Sequence, residues 1–459
     1  MDYTGDILEY LSGRAEFADV RHMYSTGKSY SYRNGQFDGQ DISNSSGYAV
    51  RCVNNSISMA FFNDKDLSSI RPKLSRLVEK SMKTGKHKID MSGGIKKSWK
   101  ELGRKKVADM PDSRKIEFIK DMDSIMGENG ASIRFTNLSD DTVRESYGNT
   151  SGTLIEGEYS RIYFVYMAGV RDSGSFEESS EEYGSTSGYE YLDSLNFPDL
   201  VGNDIKKLKE SLHAGRLSPG RYDLVVGPSI SGIVAHESGG HPMEYDRIIG
   251  REAAQAGGSF INAADGKQRI GSEYVNLIDD PSIKGSFGYY EYDDEGIKSG
   301  KRYLYRNGYT DSYILNRESA AISGLPANGG GRSSEWDMEP LARMSTTYIE
   351  PGKTSPEELI EDIRHGIYMK NFTEWNIDDT RFYEKYVGKE AYLIENGKIT
   401  SMVRRPVLET NTVNFYSSVD GTGNDLVFHA GICGKGDPEQ GVPVCMGGPH
   451  LRLRNMYMK

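Results

Sequence analysis

Apolar residues recur at three- and four-residue steps from Asp66 to Lys83, at Leu67, Ile70, Leu74, Leu77, Val78 and Met82, which predicts a helix with one buried face. The same period over Ser113–Met126, at Ile116, Ile119, Met122 and Ile125, predicts a second helix after Pro111. A third covers Asn203–His213 through Ile205, Leu208 and Leu212, and a short one covers Asp6–Leu11. Between them, strand-like runs occupy Asp19–Tyr24, Lys28–Tyr32, Tyr48–Asn54, Thr142–Tyr147 and Tyr159–Gly169, separated by Gly, Asn and Ser turns. Asp172–Tyr191 is rich in Ser, Gly and Glu without periodicity and reads as a long surface loop.

Ser218-Pro-Gly220 then punctuates the chain, and the pattern beyond it shifts toward strands at Tyr222–Val226, Tyr274–Ile278, Lys301–Tyr305, Ala391–Ile394, Met402–Leu408 and Asp425–His429. Thr354-Ser-Pro-Glu opens one helix there, expected over Ser355–Met369. The predicted fold is α+β: a mixed N-terminal domain over residues 1–218, followed by a largely antiparallel β domain over 219–459.

Composition supports a β-rich reading, since 52 of 459 residues are Gly, about 11% against a usual level of about 7%. Charge narrows the partners. Lys and Arg total 56 against 67 Asp and Glu, a formal charge of −11, so repulsion opposes contact with nucleic-acid phosphates. No stretch is long and apolar enough for a membrane span or a signal peptide, which makes a soluble cytoplasmic protein the expectation. Three cysteines, Cys52, Cys433 and Cys445, are too few and odd in number for a disulfide framework.

The chemistry concentrates in Val225–Glu244, where a strand runs into a helix start bearing His236, Glu237 and His241. Neutral imidazoles are zinc ligands, and a neighbouring carboxylate can take a proton from an activated water. The spacing is unusual. Five residues on a regular helix turn a side chain by about 500°, leaving His241 about 140° away from His236, so the helix must widen for both to reach one ion. Gly239 and Gly240 permit a bulge, and Pro242 cannot donate the next helical hydrogen bond.

A catalytic zinc needs a third protein ligand. The C-terminal stretch offers His429, Cys433, Cys445 and His450, of which Cys433, between Gly431 and Gly434, is the least obstructed. The alternative for Cys433 is a small buried thiol, the reading given to Cys52 and Cys445. Glu244 could orient a ligating His or lie at the surface, and Arg332 could grip a substrate carboxylate or a backbone carbonyl. Asp293, Asp294 and Glu295 read as a hydrated hairpin turn, and His22, His87, His213 and His365 carry no motif. Gly227-Pro-Ser-Ile-Ser-Gly232 lacks the spacing of a serine-hydrolase elbow, and Lys435 is followed by Gly436 rather than the Ser or Thr of a phosphate loop.

These motifs, with Asp293-Asp-Glu-Gly296, Gly329-Gly-Gly-Arg332, Met344-Ser-Thr-Thr-Tyr348, Gly431-Ile-Cys-Gly-Lys435 and Val442-Pro-Val444, resemble the TldD/PmbA family, known as modulators of DNA gyrase, and specifically its TldD type. The resemblance covers most of the second half of the chain. It implies a zinc-dependent peptidase with an HExxxH motif: His236, His241 and Cys433 as ligands, Glu237 as general base, and unfolded or flexible peptides as substrates. It also implies a dimer, either of two copies or with a TldE-type paralogue that lacks the motif. The competing expectation is a non-catalytic assembly subunit, with a structural metal or none, that stabilises a partner peptidase.

Overall fold

A computed structural model describes residues 2–63, 66–85 and 88–459; the His87 reading lies outside these residues. It is an α+β fold with 23% helix and 42% strand. The first half is organised by a seven-stranded sheet in the order Ile57–Phe62, Gln36–Val53, Phe17–Arg33, Ile133–Asn149, Leu154–Asp172 and Lys96–Glu101, with Ser175–Ser185 also paired to Leu154–Asp172. Its long central strands pair antiparallel in continuous register, Val20 with Gly148 and Tyr147 with Ile155. The two runs expected at Asp19–Tyr24 and Lys28–Tyr32 are one strand, because Ser25, Thr26 and Gly27 keep pairing across the polar interval. Helices Leu67–Ser81, Asp112–Glu128 and Phe197–Leu212 bury their apolar faces, led by Ile70, Leu74, Ile119, Val201 and Ile205, in the two cores of this region.

Two expectations fail in instructive ways. The polar segment 172–191 is not a loop: it holds the edge strand Ser175–Ser185 and the short helix Glu190–Asp193. Glu177 and Ser179 are buried on that strand, and their partners are charges from the second half, Arg404 Nε at 2.8 Å from Glu177 and Lys389 Nζ at 2.7 Å from Ser179. Inward positions matched by cations rather than by apolar packing carry no hydrophobic alternation for a sequence reading to find. The helix expected over Ser355–Met369 spans only Pro356–Glu361, opened by a reciprocal Ser355 and Glu358 capping box, and His365–Met369 is a strand. There Gly366 lies against Asp223, where a Cβ would stand 2.6 Å from the carbonyl oxygen.

Beyond residue 215 two larger sheets face one buried core. In the ten-stranded sheet, Gly220–Val226 lies between Leu451–Met458, antiparallel to it, and His365–Met369, parallel to it. The six-stranded sheet carries Leu277–Asp279, Thr346–Ile349, Gln440–Gly448 and Val427–Lys435. Most pairings are antiparallel, with Thr346–Ile349 parallel to Gln440–Gly448 among the exceptions. The run Met402–Leu408 is divided between strands Lys398–Arg404 and Val407–Asn411, and the run at Asp425–His429 begins a strand that continues from Val427 to Lys435. Val226, Ile233, Val234, Leu277, Met344 and Leu451 share one core, so the helical segment following Val226 is packed among both sheets.

Candidate metal centre

The site is built where the fully buried strand end Leu224-Val-Val226 turns at Gly227 into helix Pro228–Val234, with Pro228 at its first position. The next six residues, Ala235–Gly240, form a π-helical turn, followed by a tight 3₁₀ turn at His241–Met243. This is the deformation that the five-residue spacing requires: widening the repeat to i→i+5 brings His236 and His241 to one side. Close packing also demands the two glycines. A Cβ on Gly239 would stand 2.6 Å from the Tyr416 hydroxyl, and one on Gly240 would stand 1.9 Å from Met344 Sδ.

His236, His241 and Cys433 converge, with their ligand atoms all within 4.8 Å of one another and all three residues buried. Cys433 arrives from strand Val427–Lys435, and its Sγ lies 3.5 Å from His241 Nε2. A tetrahedral zinc with bonds of about 2.3 Å to sulfur and about 2.1 Å to nitrogen would set those two atoms about 3.6 Å apart, close to that distance. His236 Nδ1 is buried without a hydrogen-bond partner among the described residues. Burial holds both imidazoles below their ordinary pKa, in the neutral form that a metal requires. Burial alone would push the Cys433 thiol up, but His241 and Arg343 bring it down to about 7. The donor set therefore fits zinc.

A buried charge network supports His241. Its Nδ1 lies 2.9 Å from Glu244 Oε2, and this contact fixes the tautomer that leaves Nε2 free toward Cys433. Glu244 is fully buried, not a surface carboxylate, and it accepts from Arg247 Nε at 2.7 Å and Lys435 Nζ at 3.1 Å. Burial would raise its carboxyl, yet Lys435, His241 and Arg247 hold it well below the usual range. Lys435 also donates to Asp246 at 2.8 Å and to the Ala342 carbonyl at 2.7 Å.

Glu237 is buried beside the histidines, 3.9 Å from His241 Nε2, and accepts from Arg381 Nη1 at 2.5 Å. Sequence reading missed Arg381, Arg343 and Lys435 as parts of the site: Arg381 lies 144 residues beyond Glu237 and belongs to no local motif. The other candidates resolve separately. Arg332 grips backbone, donating to the Met344 carbonyl at 2.6 Å and the Pro443 carbonyl at 2.7 Å. The turn at Asp293–Glu295 is not a surface turn: Asp293 and Glu295 are buried, and Glu295 lies 2.7 Å from Arg51 Nη1, joining the two halves of the chain. Cys52 and Cys445 are buried thiols pushed up to about 12 and about 11, with burial the chief cause. His450 pairs with Asp425 at 2.6 Å, His22 stacks on Tyr48, His365 packs against Tyr222, and His213 lies 3.2 Å from Asp172. His429 is outside the triad, on the same strand as Cys433.

Three family models cover most of the chain: PmbA/TldA metallopeptidase domain 1 over residues 18–84, the central domain over 105–212 and the C-terminal domain over 219–459. The chain belongs to the PmbA/TldD family of metallopeptidases. Among its relatives, a metalloprotease of Methanothermobacter thermautotrophicus is 32% identical over 463 residues, covering 99% of this chain and 98% of its own. A protein named a zinc metalloprotease TldD homolog from Saccharolobus solfataricus is 26% identical over 317 residues, covering 68% of each chain. Solved structures share the fold. A chain described as a modulator of a DNA gyrase from Thermotoga maritima superposes with a TM-score of 0.80 at 13% identity, covering 100% of this chain and 99% of that one. TldE from Thermococcus kodakarensis gives 0.78 at 14% identity, covering both chains in full. Among the described residues no helix is long and apolar enough to cross a membrane.

Proposed function

We propose that this chain is a zinc-dependent peptidase that hydrolyses unfolded or flexible peptides, with His236, His241 and Cys433 as the metal ligands and Glu237 as the general base. The observation that carries the reading is the buried convergence of those three donor atoms beside a carboxylate. The relatives named metalloproteases support it. Bound zinc supplies Lewis-acid chemistry, lowering the pKa of water and polarising a peptide carbonyl. Glu237 accepts the proton of the attacking water on its carboxylate and returns it to the amine that leaves when the C–N bond breaks. Glu244 holds the His241 ring through Nδ1, and burial keeps both imidazoles in the neutral form that binds a metal.

On this reading the catalytic domain is the β-rich portion from residue 219 onward, and the first 218 residues form a separate α+β domain. The likeness to TldE suits a dimer of related chains, with a second copy or a TldE-type paralogue as partner, working in the cytoplasm. Elemental analysis of the purified protein and of Cys433→Ala, with hydrolysis of an unstructured peptide followed on the same samples, tests the function. One zinc per chain, lost together with activity in the variant, is expected. Zinc and activity both retained would remove Cys433 from the site. Zinc without hydrolysis in the unaltered protein, alone and with a TldE-type chain added, would favour an assembly subunit.

A further inference from the structure

Among the described residues other than Gly and Asn, positive φ is held by Ser173, Arg381 and Arg405, and of these Arg381 is the one that reaches the candidate site. It occupies the left-handed region at φ 65°, a conformation unfavourable for an L residue with a Cβ. Such outliers persist where surrounding structure fixes them, and they gather at functional sites. Here the turn between strands Phe372–Ile377 and Tyr383–Gly388 is tied from several sides. The Arg381 N–H donates to the Asp378 carbonyl at 3.0 Å, and Phe382 N–H donates to the Asp378 carboxylate at 2.7 Å. The Thr412 hydroxyl donates to the Arg381 carbonyl at 2.9 Å. The Asp379 and Thr380 carbonyls accept from Gly258 and Phe260, so the turn is also bound to the segment that follows the HExxxH motif.

All of this delivers one guanidinium to one carboxylate. Arg381 Nη1 meets Glu237 Oε2 at 2.5 Å with both side chains about nine-tenths buried or more, while Arg381 Nε has no hydrogen-bond partner among the described residues. Gly or Asn would adopt this φ at less cost, but neither could supply the cation that meets Glu237.

We infer that Arg381 is a positioning residue for the catalytic base: its ion pair fixes the Glu237 carboxylate in the orientation that meets the attacking water. The inference rests on the peptidase reading for its kinetic consequence. Arg381→Gly and Arg381→Asn test it, since both residues accept the strained φ and spare the turn. The expected result is unchanged zinc content, KM within about twofold and kcat lowered about 100-fold, the loss that a misplacement of about 1 Å produces, while any fall in melting temperature comes from the unpaired Glu237 carboxylate and not from the turn. Added guanidinium ion should restore part of kcat to Arg381→Gly. A raised KM with normal kcat would overturn the inference by making Arg381 a substrate-binding group, and unchanged kinetics would overturn it outright. Crystal structures of the unaltered protein and Arg381→Gly supply a readout independent of turnover. A Glu237 carboxylate displaced by about 1 Å or disordered in the variant upholds the positioning role, and an unmoved one refutes it. If the unaltered protein with zinc hydrolyses no peptide, alone or with a TldE-type chain added, the peptidase reading fails, and the crystal comparison still decides what Arg381 does to Glu237.

Discussion

Glu244 does not reach the space shared by His236, His241 and Cys433, yet on the proposed reading it should set their affinity for zinc. Its Oε2 is 2.9 Å from His241 Nδ1, so the carboxylate holds the ring, selects the tautomer and makes Nε2 a stronger donor. Glu244→Gln keeps a hydrogen-bond acceptor of the same shape and removes the charge. Loss of such a partner typically weakens metal binding by about 10–100-fold, equivalent to about 1.4–2.7 kcal/mol. The substitution leaves the network standing, because Lys435 still donates to Asp246 and the Ala342 carbonyl, and Arg247 to the Ala256 carbonyl.

Zinc-dependent stabilisation separates this effect from damage to the fold. With free zinc fixed at about 1,000 times the dissociation constant of the unaltered protein, binding stabilises that protein by about 4.1 kcal/mol. At the same zinc concentration Glu244→Gln should gain only about 1.4–2.7 kcal/mol. Denaturant unfolding with and without zinc reads the increment directly, and chelator competition gives the affinity. A variant whose apoprotein is less stable but whose zinc increment remains about 4 kcal/mol would show that Glu244 serves the fold alone, and the orienting argument would be wrong.

Glu237→Gln should retain one zinc per chain while losing about 10²–10⁴-fold in kcat, and normal turnover would remove Glu237 as the base. Gly240→Ala drives a methyl group into Met344 and should cost about 1–3 kcal/mol in denaturant unfolding; an unchanged midpoint would mean that the π-helical turn can shift freely. Burial raises the Glu384 carboxyl to about 7, with Ser238 and Tyr386 offsetting part of the rise. Its neutral form therefore stabilises the fold fully below about pH 4.5, and that contribution, about 3 kcal/mol at most, is lost as the pH rises through about 7. Glu384→Gln should flatten this part of the stability profile between pH 5 and 8, and an identical slope in both proteins would place the titration elsewhere.

The helices were legible because each shows its buried face locally. Ile70, Leu74 and Leu77 are buried as their spacing predicts, and the Ser355 and Glu358 capping box starts a helix where the sequence places one. What the pattern could not give is the point at which periodicity changes hands. After Glu361 the buried residues Ile367 and Met369 alternate for a sheet whose neighbour, Gly220–Val226, lies more than a hundred residues upstream. The strand Ser175–Ser185 is a sharper case. Its inward Glu177 and Ser179 look solvated in sequence, and only Arg404 and Lys389, folded in from the other half, make burial tolerable. Asp293–Glu295 was misread for the same reason, since the partner that neutralises Glu295 is Arg51.

The metal site divides along the same physical line. His236, Glu237 and His241 were readable because one short segment supplies all three, and the two glycines announce the widened turn that their spacing needs. Cys433 could be nominated from the chemistry of mixed nitrogen and sulfur sites, but its approach to 3.5 Å from His241 depends on how one sheet lies against the other. The groups that tune the site are less visible still. Glu244, Lys435, Arg343 and Arg381 are charged residues, and in sequence a charge reads as surface. Each is buried here because an opposite charge or a backbone carbonyl from elsewhere meets it: Lys435 for Glu244, the Gln440 carbonyl for Arg343, Glu237 for Arg381. A buried charge becomes costly when its partners are removed, so these residues tie the geometry of the candidate ligands to the packing of the two sheets.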